Sequence, residues 1–300
     1  MSDIVLIGGA NIDVFALPKT TLRLGDSNPG TIKRSYGGVG RNIAENLARL
    51  DMKPTLVTVV GRDVEGQALV RHGQSIGISF DVVYTDDTPM YLAVVNTDGD
   101  MAVAVAAMDG FNALDVSEMK KREDIIKQAK LLFLDTNMEE QVMSYVLNTC
   151  TAPVYVDVIS AHKAKKIMPH LDQIHTLKMN QMEATFLSGF TRFDALGLVE
   201  IGRFFIERGV KEIFITLGDR GIFHMDDRHH EWRQTKQIEV VNATGAGDAF
   251  LAGVIYARMT GKEPLSYGHA AAMLTLSSPE AVSSHMSVDA LDRLIKELES

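Results

Sequence analysis

Four consecutive apolar residues, Ile4–Ile7, follow the polar Asp3 and end at Gly8-Gly9. A short apolar run closed by glycine reads as a strand buried on both faces. The same signature recurs at Thr55–Val60 before Gly61, at Leu131–Leu134, at Val154–Val158, at Thr176–Met179, and at Glu212–Leu217 before Gly218. Between these runs the period changes to that of a helix. Asn42–Leu50 carries apolar residues at 43, 47 and 50 with Ala44 and Ala48 beside them, and Val64–Ile76, Glu139–Asn148 and Leu196–Glu207 read likewise. A hairpin and three more helices, Asp248–Met259, Leu265–Leu276 and Val288–Leu298, complete the chain. Strands alternating with helices predict a mostly parallel sheet covered on both faces, with ligands at the carboxyl ends of its strands. Gly8-Gly9, Gly61, Asp135, Asp157, Asn180 and Gly218 all lie just past such ends and are candidates to share one cleft.

Two segments break the alternation. Residues 14–36 are too long for a tight connection and show no helix period. Residues 82–108 contain Tyr91–Val95 and Ala102–Val105 joined around Asp98-Gly99, a hairpin signal. Together they predict a small sheet projecting from the main domain as a lid over the cleft. Its outer face must also be buried, which predicts a homodimer formed through the lid.

Composition narrows the picture. Three hundred residues suit one large α/β domain, 1–300, with an insertion. A net charge of −9 without a Lys/Arg cluster argues against nucleic acid as the main partner. It leaves an anionic ligand open, because backbone amides bind phosphate without net positive charge. The single cysteine, Cys150, can form no intrachain disulfide and reads as a small residue within a helix. The first residues run straight into a strand, and no apolar run reaches membrane-spanning length. The expectation is a cytoplasmic protein with neither a membrane nor a nucleic-acid partner.

The richest chemistry lies in Asn242-Ala-Thr-Gly-Ala-Gly-Asp248, which opens an apolar helix. Small residues let backbone N–H groups approach an anion, and the helix start adds its own donors. An acid in that turn can meet a substrate hydroxyl, so the stretch offers the anion cradle and proton acceptor that phosphoryl transfer needs. The plainer alternative is a loop with Asp248 as a cap. Gly8-Gly9-Ala10-Asn11-Ile12-Asp13 lacks the full three-glycine dinucleotide fingerprint. Asn11 and Asp13 are either cleft residues that hold substrate hydroxyls or parts of a plain turn. Gly37-Gly38-Val39-Gly40-Arg41-Asn42 permits close approach of a ligand, or is a loop with an Asn cap. Asn180-Gln181-Met182-Glu183 either orders Mg²⁺-bound water around phosphates or forms a capping box. Thr216-Leu217-Gly218 admits a nucleotide or makes a hairpin turn.

Taken in order, Gly-Ala-Asn-Ile-Asp near the start, Gly37-Gly38 with Asn42, Asn180-x-x-Glu183, Thr216-Leu217-Gly218 and Asn-Ala-Thr-Gly-Ala-Gly-Asp-Ala-Phe resemble the ribokinase-like sugar and nucleoside kinases of the PfkB family across essentially the whole chain. Asp26-Ser27-Asn28-Pro29-Gly30, the stretch Val156–Lys163 and the stretch Ile174–Gly189 are most similar to the members that phosphorylate pseudouridine. The resemblance implies a three-layer αβα sandwich with a mostly parallel central sheet and a small β-sheet lid. It implies ATP-dependent phosphorylation of the 5′-hydroxyl of pseudouridine. The alternatives are another nucleoside or a free sugar such as ribose or fructose as acceptor, and a ligand-binding protein without catalysis.

It also assigns roles. Asp248 would be the catalytic base, and Gly245, Ala246 and Gly247 the anion hole. Asn11, Asp13, Gly38 and Asn42 would hold the ribose, and Ser27 and Asn28 would meet the base. Asn180, Thr216, Gly218 and His269 would line the ATP site, and Glu183 would hold Mg²⁺ through water. Asn242 stands where some relatives carry Asp beside a monovalent-cation site, so activation by K⁺ stays open, with backbone carbonyls as alternative donors. Met179 and Val158 stand where proline is common in the family.

Overall fold

Alternate residues of the first strand belong to different cores. In β1 (Ile4–Ile7), Val5 and Ile7 pack into one hydrophobic cluster and Ile4 and Leu6 into another. A strand sends successive side chains to opposite faces, so a strand apolar throughout is buried by a layer on each side. The computed structural model describes residues 3–98, 100–235 and 239–299. After β1 come β2 (Asn11–Pro18), β3 (Gly30–Gly37), α1 (Val39–Arg49), β4 (Pro54–Gly61), α2 (Val64–Ile76), β5 (Ser79–Thr85), β6 (Met90–Val95) and β7 (Met101–Ala107). The middle holds α3 (Val116–Lys121), α4 (Glu123–Gln128), β8 (Leu131–Asp135), α5 (Glu140–Thr149), β9 (Val154–Asp157), α6 (Ala161–Ala164), β10 (Thr176–Asn180), α7 (Gln181–Ser188) and α8 (Ala195–Ile206). The last part holds β11 (Glu212–Thr216), β12 (Ile222–Asp226), β13 (His230–Arg233), α9 (Ala246–Thr260), α10 (Pro264–Leu276) and α11 (Val288–Glu299).

The large sheet has nine strands in the order β13-β12-β11-β10-β9-β8-β1-β4-β5. Every pairing from β5 through β11 is parallel, and β12 and β13 extend the edge antiparallel. Buried residues of α3, α4, α5, α7 and α8 cover one face, and those of α1, α2, α9, α10 and α11 the other. This is the expected three-layer αβα arrangement. No helix among the described residues is long and apolar enough to cross a membrane.

A second, four-stranded sheet has the order β3-β2-β6-β7. Both interruptions of the alternation therefore supply it, but the second contributes less than expected. Val82–Thr85 belong to β5, which pairs with β4 in the large sheet. The strand escapes the apolar pattern because Asp81 sits inside it, held by Arg122 Nε at 2.9 Å. The turn at Asp98-Gly99 falls partly outside the described residues, which omit Gly99. The six-residue helices α3 and α4 were also illegible, since Met119 and Ile126 are the single buried residue of each and no period can show. Cys150 lies just past α5 rather than inside it and is half-buried.

Candidate active site

The parallel strands end nearly level. Asp135 on β8 is the register partner of Asp157 on β9, which is also partner to Lys178 on β10, and Asn180 pairs with Thr216 on β11. The sheet thus delivers Asp135, Asp157, Lys178, Asn180 and Thr216 to one edge. The acid at 248 reaches that edge from the helix layer above. α9 begins at Gly245, whose φ of 80° and whose close approach to the Ala281 carbonyl leave no room for a side chain. Ala246, Gly247 and Asp248 follow in the first turn, where main-chain N–H groups have no intrahelical acceptor.

Asp248 is buried, and its Oδ2 accepts a hydrogen bond from Asn42 Nδ2 at 2.7 Å. Burial pushes this carboxyl up to about 7, and the Asp157 carboxylate adds to the rise; the Lys178 ammonium, the Asn42 amide and the Arg41 guanidinium work against it. Asp157 Oδ2 in turn accepts from Lys178 Nζ at 2.8 Å. On the other side, Arg41 donates to the Gly37 carbonyl at 3.0 Å and to the side chains of Glu45 and Asn42. Asp13, at the start of the small sheet, accepts from Asn11 Nδ2 at 2.7 Å. Burial raises its pKa, opposed by the Asn11 bond and by Arg41. Arg41 feels both Asp13 and Asp248, so these groups form one electrostatic cluster.

The sequence-based site residues thus divide into groups. Asn11, Asp13, Asn42, Gly245, Ala246, Gly247 and Asp248 come together. Gly38 (φ 95°) is packed against the Gly9 carbonyl and Ala10, so the backbone contact accounts for its lack of a side chain. Asn180 and Glu183 form the capping box: Glu183 N donates to Asn180 Oδ1 at 2.9 Å, and Asn180 N to Glu183 Oε2 at 2.7 Å. The box starts α7 at the same sheet edge as the cluster. Thr216 ends β11, and Gly218 lies on its open side with no atom within 4 Å of a β-carbon position. His269, on α10, is buried with Nε2 3.1 Å from Thr235 Oγ1. Ser27 and Asn28 stand apart on an exposed loop, where the Asn28 amide is engaged with Arg23 and Asp26. Asn242 folds its side chain back on Thr244 N and the Pro279 carbonyl.

Asp157 was placed at the cleft by its position at a strand end but given no role, and Arg41 and Lys178 were not among the sequence-based site residues. A lysine between Leu177 and Met179 in an apolar strand is the signal that could have found Lys178. Arg41 lies inside the glycine motif but was masked by the glycines' own prominence. Asp135, fully buried, fixes the Gly9 turn by accepting from Gly9 N at 2.6 Å and from Asn137 N at 2.9 Å.

A family model described as pfkB family carbohydrate kinase matches residues 1–287. The chain belongs to the pfkB family. It is therefore a phosphotransferase acting on a hydroxyl group. It is 37% identical over 256 residues to the pseudouridine kinase of Escherichia coli (strain K12), covering 84% of this chain and 82% of that one. A Clostridium perfringens protein of known structure superposes with a TM-score of 0.89 at 30% identity, covering 99% and 96% of the two chains. A carbohydrate kinase from Agrobacterium tumefaciens gives a TM-score of 0.86 at 28% identity over 99% and 97%. For this pfkB chain the cluster around Asp248 is the candidate active site, where a buried carboxyl sits in the first turn of α9.

Proposed function

We propose that the chain transfers the γ-phosphoryl group of ATP to the 5′-hydroxyl of pseudouridine. The supporting observation is the 37% identity to E. coli pseudouridine kinase across most of both chains. In the reaction the 5′-oxygen forms a bond to the γ-phosphorus and the bond to the β,γ-bridging oxygen breaks. The electron pair of that bond leaves with ADP. Asp248 orients the hydroxyl and accepts its proton, a task suited to a carboxyl that titrates near 7. The amides of Gly245, Ala246 and Gly247 stabilise charge on the equatorial oxygens, the larger contribution in a loose transition state. Asn11, Asp13 and Asn42 hold the ribose, with Gly38 shaping the turn beside them. Ser27 and Asn28 meet the base when their loop closes on it.

Asn180, Thr216, Gly218 and His269 line the ATP side. The described residues hold no cluster of three acidic, His or Cys side chains able to bind a metal directly. Mg²⁺ would arrive on the nucleotide phosphates and meet Glu183 through water, since one oxygen of Glu183 closes the α7 cap. When bound, Mg²⁺ neutralises phosphate charge. With the Asn242 amide engaged by Thr244 N and the Pro279 carbonyl, any K⁺ would rely on backbone carbonyls.

The decisive experiment is an acceptor panel in a coupled ADP-release assay. Pseudouridine should give the highest kcat/KM. A higher value for ribose, fructose or another nucleoside overturns the assignment.

A further inference from the structure

The strand β10 reads Thr-Leu-Lys-Met-Asn, and the lysine at its centre, Lys178, is only 7% exposed. An ammonium that deep requires acceptors for three N–H donors. Among the described residues one donor is satisfied, by Asp157 Oδ2 at 2.8 Å. The other two have no acceptor there. Its further neighbour is the first turn of α9: a β-carbon built on Gly247 would lie 2.5 Å from Lys178 Nζ and 3.3 Å from Cε. A cation is thus pressed against the positive end of a helix, the reverse of what helix ends favour. Burial works against its charge, yet Asp157, Asp248 and Glu183 hold the Lys178 pKa above its ordinary value. Asp157 offsets one source of positive potential. A phosphate at the helix start would offset the other and supply acceptors for both remaining donors.

We propose that Lys178 is a catalytic residue whose two remaining N–H donors bind the transferring γ-phosphoryl group beside the main-chain amides of α9, with Asp157 fixing the ammonium in place. Lys178 keeps its proton throughout. The acceptor's proton goes to Asp248 and the leaving electron pair goes to ADP. This rests on the kinase reading but not on which acceptor is used.

The test uses the full chain with Lys178→Met, Lys178→Arg and the double variant Lys178→Met/Asp157→Asn. Calorimetry without any acceptor should show the ratio of ATP to ADP affinity falling about tenfold or more in Lys178→Met, as expected for a lost charge-assisted hydrogen bond. With the acceptor the wild type turns over best, kcat should fall by about 10²–10³ while acceptor KM changes little. Lys178→Arg should recover part of that loss. Lys178→Met alone leaves Asp157 buried without its partner, so the double variant guards against misfolding. It should melt like the wild type yet stay as slow as Lys178→Met. Recovery of turnover in the double variant, or an unchanged ATP to ADP ratio, would reduce Lys178 to a structural partner of Asp157. A wild type inert toward pseudouridine but active on another acceptor overturns the substrate alone.

Discussion

Asp248 carries two opposed demands. In its proposed role as base it must be ionised, and as a buried group it resists ionisation. Its carboxyl at about 7 implies that kcat/KM rises with pH up to about 7 and then levels, because that ratio reports the free enzyme. Asp248→Asn should keep the fold and lower kcat by about 10²–10⁴. The sign of the stability effect follows from the same shift. A carboxyl raised in the folded state stabilises below its unfolded pKa, and that contribution is lost as pH rises through about 7. Asp248→Asn should therefore melt higher than wild type at pH above 7, with the gap closing in acid. Equal melting temperatures at every pH would show that the carboxyl is not strained by its burial. Asp248, Asn42 and Asp13 were legible in the sequence because each lies in a glycine-rich turn at an element boundary. Asp157 was legible only as a strand-end residue, and its pairing with Lys178 was not, because the pair joins neighbouring strands that the chain separates by 21 positions.

At the scale of elements, most boundaries were readable because local chemistry marks them. Asp63 caps α2 by accepting from Gly66 N at 2.7 Å. It also accepts from Thr88 N at 2.7 Å and Thr88 Oγ1 at 2.6 Å, tying the helix to the connection that leads into the small sheet. Asp63→Ala should lower stability by about 1–2 kcal/mol, read as a shift in the urea midpoint. A variant as stable as wild type would mean that water replaces all three bonds at no cost. β5 shows where local pattern fails. Its Asp81 is tolerated because Arg122, 41 positions later, neutralises it, and no local window contains both.

At the scale of the whole molecule, the small sheet has two different faces. Cross-strand partners share a face, so the register places Ile32, Ala16, Val94 and Val103 together and Val14, Leu92 and Val105 beside them. Asn11 and Asp13 point to the other side, as alternation requires. Ile32, Leu92, Val103 and Val105 are exposed, a contiguous apolar surface of the sort that marks an interface. We expect a homodimer formed through this face. Leu92→Glu combined with Val103→Glu should yield a monomer by sedimentation, whereas a wild type that is already monomeric would refute the contact. The other face carries Asn11 and Asp13 at its root with Tyr91, Ala93 and Ala106 beside them, and we expect this side to cover the cleft.

The level strand ends have an evolutionary corollary. Inserting one residue ahead of Asp135 in β8, Asp157 in β9 or Lys178 in β10 would advance that side chain by roughly 3.3 Å and turn it to the opposite side of the sheet. The charges beneath the reaction are therefore locked to strand length. Divergence toward new alcohols has to proceed through the connections beyond the strands, where lengthening leaves the floor untouched.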